Sequence, residues 1–208
     1  MPSHHRSKRI VSVILSSAAL LALIGIYFKI KLNTGSGAAE QAAEAERRSR
    51  LSAELEAGLA VDENGLSRAV ATLQTTRGRI RFRFYPGDAP KTTRRIAQLI
   101  RSGFYNGLLF HRVEPGFVIQ GGDPTGTGEG GSGVTIPAEF NERKHVAGTV
   151  AMARTSDPDS ADSQFYISLG THSRLDGRYT VFGQVTEGLE VLNQIRAGDR
   201  MNTVSLEL

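Results

Sequence analysis

Arg112 is the residue whose type and setting most suggest chemistry. Two short apolar runs, residues 108–113 and 117–119, flank the turn residues 114–116, and this pattern predicts a β-hairpin. An arginine inside an apolar strand is unusual, because burying an unpaired charge is costly. Arg112 therefore either faces water on the outside of a strand or serves a site. Gln120 follows eight residues later, an even spacing in strand numbering.

Other kinds of catalytic centre find little support in the sequence. The chain has no cysteine, which excludes a thiol nucleophile, a disulfide framework and cysteine-bound metal. His111, His145 and His172 are scattered without metal-ligand spacing, and neither a Gly-x-Ser-x-Gly nor a His-Glu-x-x-His motif is present. His111 is more typical of a packed structural histidine than of a base. We therefore expect no metal and no cofactor.

Charge and glycine patterns give equally little support to nucleotide or nucleic-acid binding. From residue 32 onward 20 basic residues stand against 21 acidic ones, so the basic balance belongs to residues 1–31. Arginines at 79, 81 and 83 alternate with apolar residues and favour a solvated strand face over a basic patch for nucleic acid. The Gly-x-Gly-x-x-Gly pattern at 126–131 precedes an extended stretch rather than a helix, which argues against a dinucleotide site.

Several motifs around Arg112 resemble those of the cyclophilins, which are prolyl cis/trans isomerases. The matching motifs are Phe-His-Arg-Val at 110–113, Pro-Gly-Phe-Val-Ile-Gln-Gly-Gly-Asp at 115–123, Met-Ala-Arg at 152–154, Ser-Gln-Phe-Tyr-Ile at 163–167 and Leu-Asp-Gly at 175–177. Their order and spacing match along about residues 70 to 208. The resemblance implies a mainly β fold, a closed eight-stranded antiparallel barrel capped by two helices. It also implies proline-containing protein or peptide substrates.

The resemblance further implies a role for each matching residue. Arg112 would be catalytic, directing its guanidinium at the prolyl nitrogen of the substrate. The apolar residues of the site would seat the proline ring, Gln120 would bind near the substrate carbonyl, and the backbone of Arg154 would hold the residue before proline. Each residue could also be ordinary barrel core or rim. The implied substrate-binding residues are Phe117, Val118, Gln120, Ala153, Arg154, Gln164, Tyr166, Leu175 and Tyr179.

The chain departs from the family pattern at four positions near the implied site. Val118 stands where methionine is frequent, and Arg154 stands where many members have asparagine. Many eukaryotic members have tryptophan before Leu-Asp-Gly and a histidine a few residues later, whereas this chain has Arg174 and Tyr179. Since Arg174 offers a solvated charge in place of an indole, we expect weak cyclosporin binding. A proline-segment binding module or chaperone with incidental catalysis is the alternative function.

A membrane anchor is predicted near the start of the chain. Residues 10–28 carry no charge, follow a basic tail at 1–9, and would form a helix roughly 28 Å long, close to the thickness of a bilayer core. We interpret them as an uncleaved transmembrane signal-anchor, with the catalytic domain outside the cytoplasm. A cleaved signal peptide, giving a secreted protein, is the alternative. Residues 29–65 would form a helical spacer and residues 66–208 the isomerase domain.

The local patterns also predict the elements that must position Arg112. Alternation over residues 69–85 predicts two strands, and Asp88 is the expected N-cap of a helix that ends before Gly103. Further strands are expected at 149–153, 164–169, 178–185 and 204–208, and a short amphipathic helix at 188–197. Many short strands with two helices favour a barrel.

Overall fold

A computed structural model describes residues 63–208 of the chain. The predictions of a basic tail, a transmembrane segment and most of the spacer fall outside the described residues. Within 63–208, no helix has the length and apolar character needed to cross a membrane. The elements in chain order are α1 Glu63–Arg68, β1 Val70–Thr75, β2 Gly78–Phe84, α2 Pro90–Arg101, β3 Phe110–Glu114, β4 Val118–Gly121, β5 Thr149–Met152, β6 Phe165–Ser168, β7 Val181–Glu187, α3 Leu189–Leu192 and β8 Met201–Glu207.

The fold is mainly β, as predicted, and is built on one eight-stranded antiparallel sheet. Its strand order is β3-β4-β6-β5-β7-β2-β1-β8. The two edge strands approach each other where β3 begins, because Leu109 forms a bridge with Arg200. The amide of Phe110 donates to the carbonyl of Asp199 over 2.9 Å, and the amide of Met201 donates to that of Leu108 over 2.9 Å.

Buried and solvent-exposed side chains alternate along the strands, so one face of the sheet packs on the core and the other faces solvent. On β2, Ile80 and Phe82 are buried in the main core, whereas Arg81 points outward. The guanidinium of Arg81 pairs with Glu187 over 2.9 Å and with Glu207 over 2.8 Å. The outward face of β2 is therefore solvated, and the acidic partners of Arg81 lie on the adjacent strand β7 and on β8, which is two strands away.

The start of α2 corrects the prediction that Asp88 caps this helix. Its N-cap is Ala89, with Pro90 in the first turn. The first free amides, those of Lys91 and Thr92, donate to the two carboxylate oxygens of Glu139 over 2.9 and 2.8 Å. Asp88 instead accepts from Arg143 over 2.9 Å. A carboxylate far along the chain thus fills the role that local sequence assigns to Asp88.

Several further boundaries differ from the predicted ones, and β8 begins at Met201 rather than at residue 204. The helix predicted at 188–197 is only Leu189–Leu192, and β7 begins at Val181 rather than at residue 178. After α3 the chain turns, because the carboxylate of Asp199 accepts from the amide of Arg196 over 2.8 Å. Gly198 adopts a positive φ of 91° in the same turn, a conformation that glycine adopts readily because it has no Cβ.

Candidate active site

A single row of cross-strand neighbours organises the candidate site. The pairing registers place one residue from each of five adjacent strands side by side. Direct cross-strand neighbours have Cβ atoms about 4.5–5.5 Å apart, so side chains in such a row can contact one another. In the order β3, β4, β6, β5 and β7, the row is Arg112, Gln120, Tyr166, Ala151 and Val181.

A β-bulge at His111 sets the direction in which Arg112 points. Phe110 pairs with Gly121 and Arg112 pairs with Gln120, so β3 has one more residue than β4 over this step. Strict alternation would place Phe110 and Arg112 on the same face. The bulge instead leaves Phe110 fully buried in the core, while Arg112 is exposed on the other face. A bulge that redirects a side chain in this way is a common device beside functional sites.

The row opens into a pocket of about 160 Å³. Its floor belongs to a small apolar cluster that includes Val118, Ala151, Tyr166 and Val181, separate from the main core. Nine of the ten residues predicted for the site line this pocket, and the exception is Gln164. The lining residues are Arg112, Phe117, Val118, Gln120, Ala153, Arg154, Tyr166, Leu175 and Tyr179.

Arg112 is a charged residue at the edge of this pocket, whose lining is mostly apolar. Its Nε donates to the carboxylate of Glu114 over 3.0 Å, and its Nη2 donates to the same oxygen. Its Nη1 donates to Oε1 of Gln120 over 3.0 Å. The guanidinium carbon lies 6.0 Å from the centre of the Phe117 ring. Because a guanidinium has five N–H donors, these contacts leave donors for a bound molecule.

Gln164 does not line this pocket, but it forms a hydrogen bond with Gln120, which does. Its Oε1 accepts from Nε2 of Gln120 over 2.9 Å, and its own Nε2 donates to the carbonyls of Gly128 and Gly130 over 2.9 and 2.8 Å. Gln164 also lines a neighbouring cavity of about 350 Å³ beside the glycine-rich loop. Gln164 therefore contacts the lining of the smaller pocket through Gln120, and its role in substrate binding stays a prediction.

Two other arginines lie over aromatic walls of the pocket. The guanidinium carbon of Arg174 lies 4.7 Å from the centre of the Phe117 ring, and that of Arg154 lies 4.8 Å from the centre of the Tyr179 ring. Arg154 also donates to the carbonyl of Arg178 over 2.9 Å. Arg174 is exposed, yet the contact with Phe117 gives its charge a defined position, which the sequence does not reveal.

His145 and Asp176 are two residues behind the pocket that the sequence analysis did not assign. Nε2 of His145 lies 2.9 Å from the hydroxyl of Tyr166, and Nδ1 lies 3.1 Å from Oδ1 of Asp176. Burial lowers the pKa of His145, although Asp176 opposes the shift. The amide of His145 lowers the pKa of Asp176. Only the position of Asp176, directly after Leu175, could have drawn attention to this cluster.

Comparison with known proteins decides the family. The model of the cyclophilin type peptidyl-prolyl cis-trans isomerases matches residues 70–206, which include the whole pocket. The chain belongs to this family. As a cyclophilin-type isomerase, it catalyses cis/trans interconversion at peptidyl-prolyl bonds.

Two relatives from different organisms resemble the cyclophilin domain closely. The chain is 46% identical over 138 residues to a peptidyl-prolyl cis-trans isomerase of Synechococcus elongatus, covering 65% of this chain and 94% of that protein. It is 47% identical over 131 residues to peptidyl-prolyl cis-trans isomerase B of Bacillus subtilis, covering 62% and 91%.

Solved structures give the same result for the cyclophilin fold. A cyclophilin type isomerase of Cryptosporidium parvum superimposes with a TM-score of 0.63 at 29% identity, covering 67% of this chain and 97% of that one. The same protein crystallised in the presence of the dipeptide Ala-Pro gives a TM-score of 0.63 at 30% identity, covering 67% and 99%.

Proposed function

We propose that Arg112 is the catalytic residue of this isomerase. Amide resonance gives a prolyl bond a rotation barrier of about 20 kcal/mol, and uncatalysed rotation takes roughly ten to a hundred seconds. A guanidinium that donates to the prolyl nitrogen draws the nitrogen lone pair out of the amide, which weakens the C–N double-bond character. The observation that carries this proposal is the position of Arg112, with unused donors, at the edge of the apolar pocket. No nucleophile, metal or proton transfer is required.

The pocket itself would seat the proline ring of the substrate. Phe117, Val118, Tyr166 and Leu175 offer apolar surface, and Ala153 and Tyr179 extend it. Gln120 would bind near the substrate carbonyl, and the backbone of Arg154 would hold the residue before proline. The crystallisation of the Cryptosporidium parvum relative with Ala-Pro supports a proline-containing ligand for this chain as well. Its substrates would be X-Pro bonds of protein chains, whose folding it would assist.

Membrane attachment and barrel closure complete the proposal. The uncharged stretch at residues 10–28, with basic residues on both sides, supports a single-pass anchor with the catalytic domain outside the cytoplasm. Residues 29–65 would separate the domain from the membrane. The bridge between Leu109 and Arg200 supports closure of the sheet into a barrel. The charge of Arg174 over Phe117 supports weak binding of cyclosporin.

The proposed substrate class is tested by a protease-coupled assay on the full-length protein, in which chymotrypsin cleaves only the trans form of a proline tetrapeptide. We expect acceleration in proportion to enzyme concentration for peptides with different residues before proline. Binding of the same peptides without acceleration would contradict the proposal and favour a binding module.

A further inference from the structure

Tyr166 occupies the centre of the row that forms the pocket floor, and its hydroxyl contacts a residue that does not line the pocket. The side chain is 5% exposed and pairs with Gln120 on one side and Ala151 on the other. Its hydroxyl lies 2.9 Å from Nε2 of His145, a residue that is 1% exposed and not part of the pocket lining. The two rings lie nearly parallel, at 18°, with centres 6.0 Å apart.

The contact with Asp176 determines which atoms of His145 and Tyr166 donate hydrogen bonds and which accept them. Its Oδ1 accepts from the backbone amide of His145 over 2.9 Å and lies 3.1 Å from Nδ1 of the same residue. An ionised carboxylate only accepts, so Nδ1 carries the proton. In the neutral imidazole Nε2 is then an acceptor, and the Tyr166 hydroxyl is its donor. Burial raises the pKa of Tyr166, which keeps that proton on the phenol.

The same contacts join two separate walls of the pocket. Tyr166 lies on β6, whereas Leu175 ends a short looped segment, the 3-10 turn Ser173–Leu175, and Asp176 follows Leu175 directly. The amide of His172, at the start of that loop, donates to the carbonyl of His145 over 2.8 Å. His145 therefore contacts Tyr166 in the pocket floor through its Nε2. It contacts the segment that carries Leu175 through its Nδ1 and its backbone.

We propose that His145 is a positioning residue for isomerisation, which sets the gap between Tyr166 and Leu175 into which the substrate proline fits. The inference rests on the proposed seating of proline in this pocket. A displacement of about 1 Å in a substrate-positioning group can cost as much as a hundredfold in rate. Removal of the acceptor would also leave the Tyr166 hydroxyl buried without a partner, which is unfavourable, whereas removal of both partners can be nearly neutral.

Three variants of the full-length protein separate the contact of His145 with Tyr166 from its contact with Asp176. H145N keeps a donor for Asp176 but loses the acceptor for Tyr166, H145Q keeps an acceptor near the position of Nε2, and Y166F removes the hydroxyl. We expect H145N to lower kcat/KM about tenfold, mainly through KM. H145Q should lose less than H145N. The double variant H145N/Y166F should match Y166F within about twofold, because no hydroxyl is left unpaired.

A matched control and a spectroscopic measurement exclude a purely structural effect. Tyr105 is as buried as Tyr166, and its hydroxyl donates to the carbonyl of Ser163 over 3.0 Å outside the pocket. Y105F should therefore lower the melting temperature without changing KM. With ¹⁵N-labelled histidine, the Nε2 signal of His145 should be that of an unprotonated nitrogen and should shift in Y166F.

Several outcomes would overturn the positioning role. These are a folded H145N with normal kcat/KM, an H145Q no better than H145N, losses that add in the double variant, or a protonated Nε2. If H145N does not fold, H145N/Y166F must still fold with the activity of Y166F, and its failure would also overturn the role. Absence of turnover in the unsubstituted protein would instead contradict the proposed function.

Discussion

Arg112 and Gln120 lie directly opposite each other on β3 and β4, and Nη1 of Arg112 donates to Oε1 of Gln120 over 3.0 Å. On its other side the guanidinium is bound by Glu114. Gln120 is in turn held by Gln164 through its amide nitrogen. The orientation of the guanidinium therefore depends on its two acceptors, Glu114 and Gln120, and the two residues can be substituted separately.

Replacement of Gln120 by alanine should lower kcat/KM about tenfold, equivalent to about 1.4 kcal/mol. Arg112 would lose its neutral acceptor and move toward Glu114. Q120E retains an acceptor at that place and should lose less. Gln194 is an exposed glutamine outside the pocket, so Q194A is the matched control. Equal kcat/KM in Q120A and Q194A, measured by the protease-coupled assay, would show that Gln120 does not orient Arg112.

Stability should fall as the pH is lowered from about 7 to about 5, because burial lowers the pKa of both His111 and His145. An unfolded histidine has a pKa of about 6.5. Below that value the unfolded chain binds protons that the folded histidines do not, so the free energy of unfolding decreases. Urea unfolding at several pH values measures this dependence.

His111 offers a variant that isolates part of the pH effect. Neither of its ring nitrogens has a hydrogen-bond partner within residues 63–208, so H111F removes a titrating group without removing a contact of that kind. The stability of H111F should depend less steeply on pH than that of the unsubstituted protein. An unchanged slope would mean that the pKa of His111 is not lowered by folding.

Cyclosporin should inhibit the protein weakly, and R174W should strengthen that inhibition by about thirtyfold to a thousandfold, or about 2 to 4 kcal/mol. The indole would replace a charged group over Phe117 with an apolar face and a donor. Peptide turnover should change little, since Arg174 does not line the pocket. Titration of activity with the drug measures both quantities. Nanomolar inhibition of the unsubstituted protein, or no gain in R174W, would contradict the role given to Arg174.

The full-length protein should remain in the membrane fraction after alkaline carbonate washing, with residues 1–28 still present by mass spectrometry. The expectation rests on the uncharged stretch at 10–28. A soluble product that begins near Ala39 would indicate a cleaved signal peptide instead. Protease treatment of sealed vesicles tests the orientation separately, and digestion only from the cytoplasmic side would contradict an extracytoplasmic domain.

The sequence was most informative where the relevant residues are close together in the chain. The hairpin that carries Arg112 and Gln120, and the two strands at 69–85, follow from turn residues and alternation. Nine of the ten predicted site residues line one pocket because whole motifs matched the family pattern in order. Strand ends were shifted by a few residues, as at β7, where hydrogen bonding with neighbours decides the boundary.

Features that depend on distant residues were not predicted. The bulge at His111 violates simple alternation and is visible only from the pairing register. Glu139 caps α2 from nearly fifty residues away, which local capping rules cannot anticipate. His145 meets Tyr166 and Asp176 only after β6 and the Leu175 loop are packed together, so no spacing in the sequence marks it.

The most direct test of the catalytic proposal is the comparison of R112A with the unsubstituted protein in the protease-coupled assay. We predict that kcat/KM falls at least about a hundredfold, or about 2.7 kcal/mol of transition-state stabilisation. The melting temperature should hardly change, since Arg112 is exposed and outside the core. Arg79, an exposed arginine on β2, supplies the control variant R79A, which should retain full activity. Equal activity of R112A and R79A would contradict a catalytic role for Arg112.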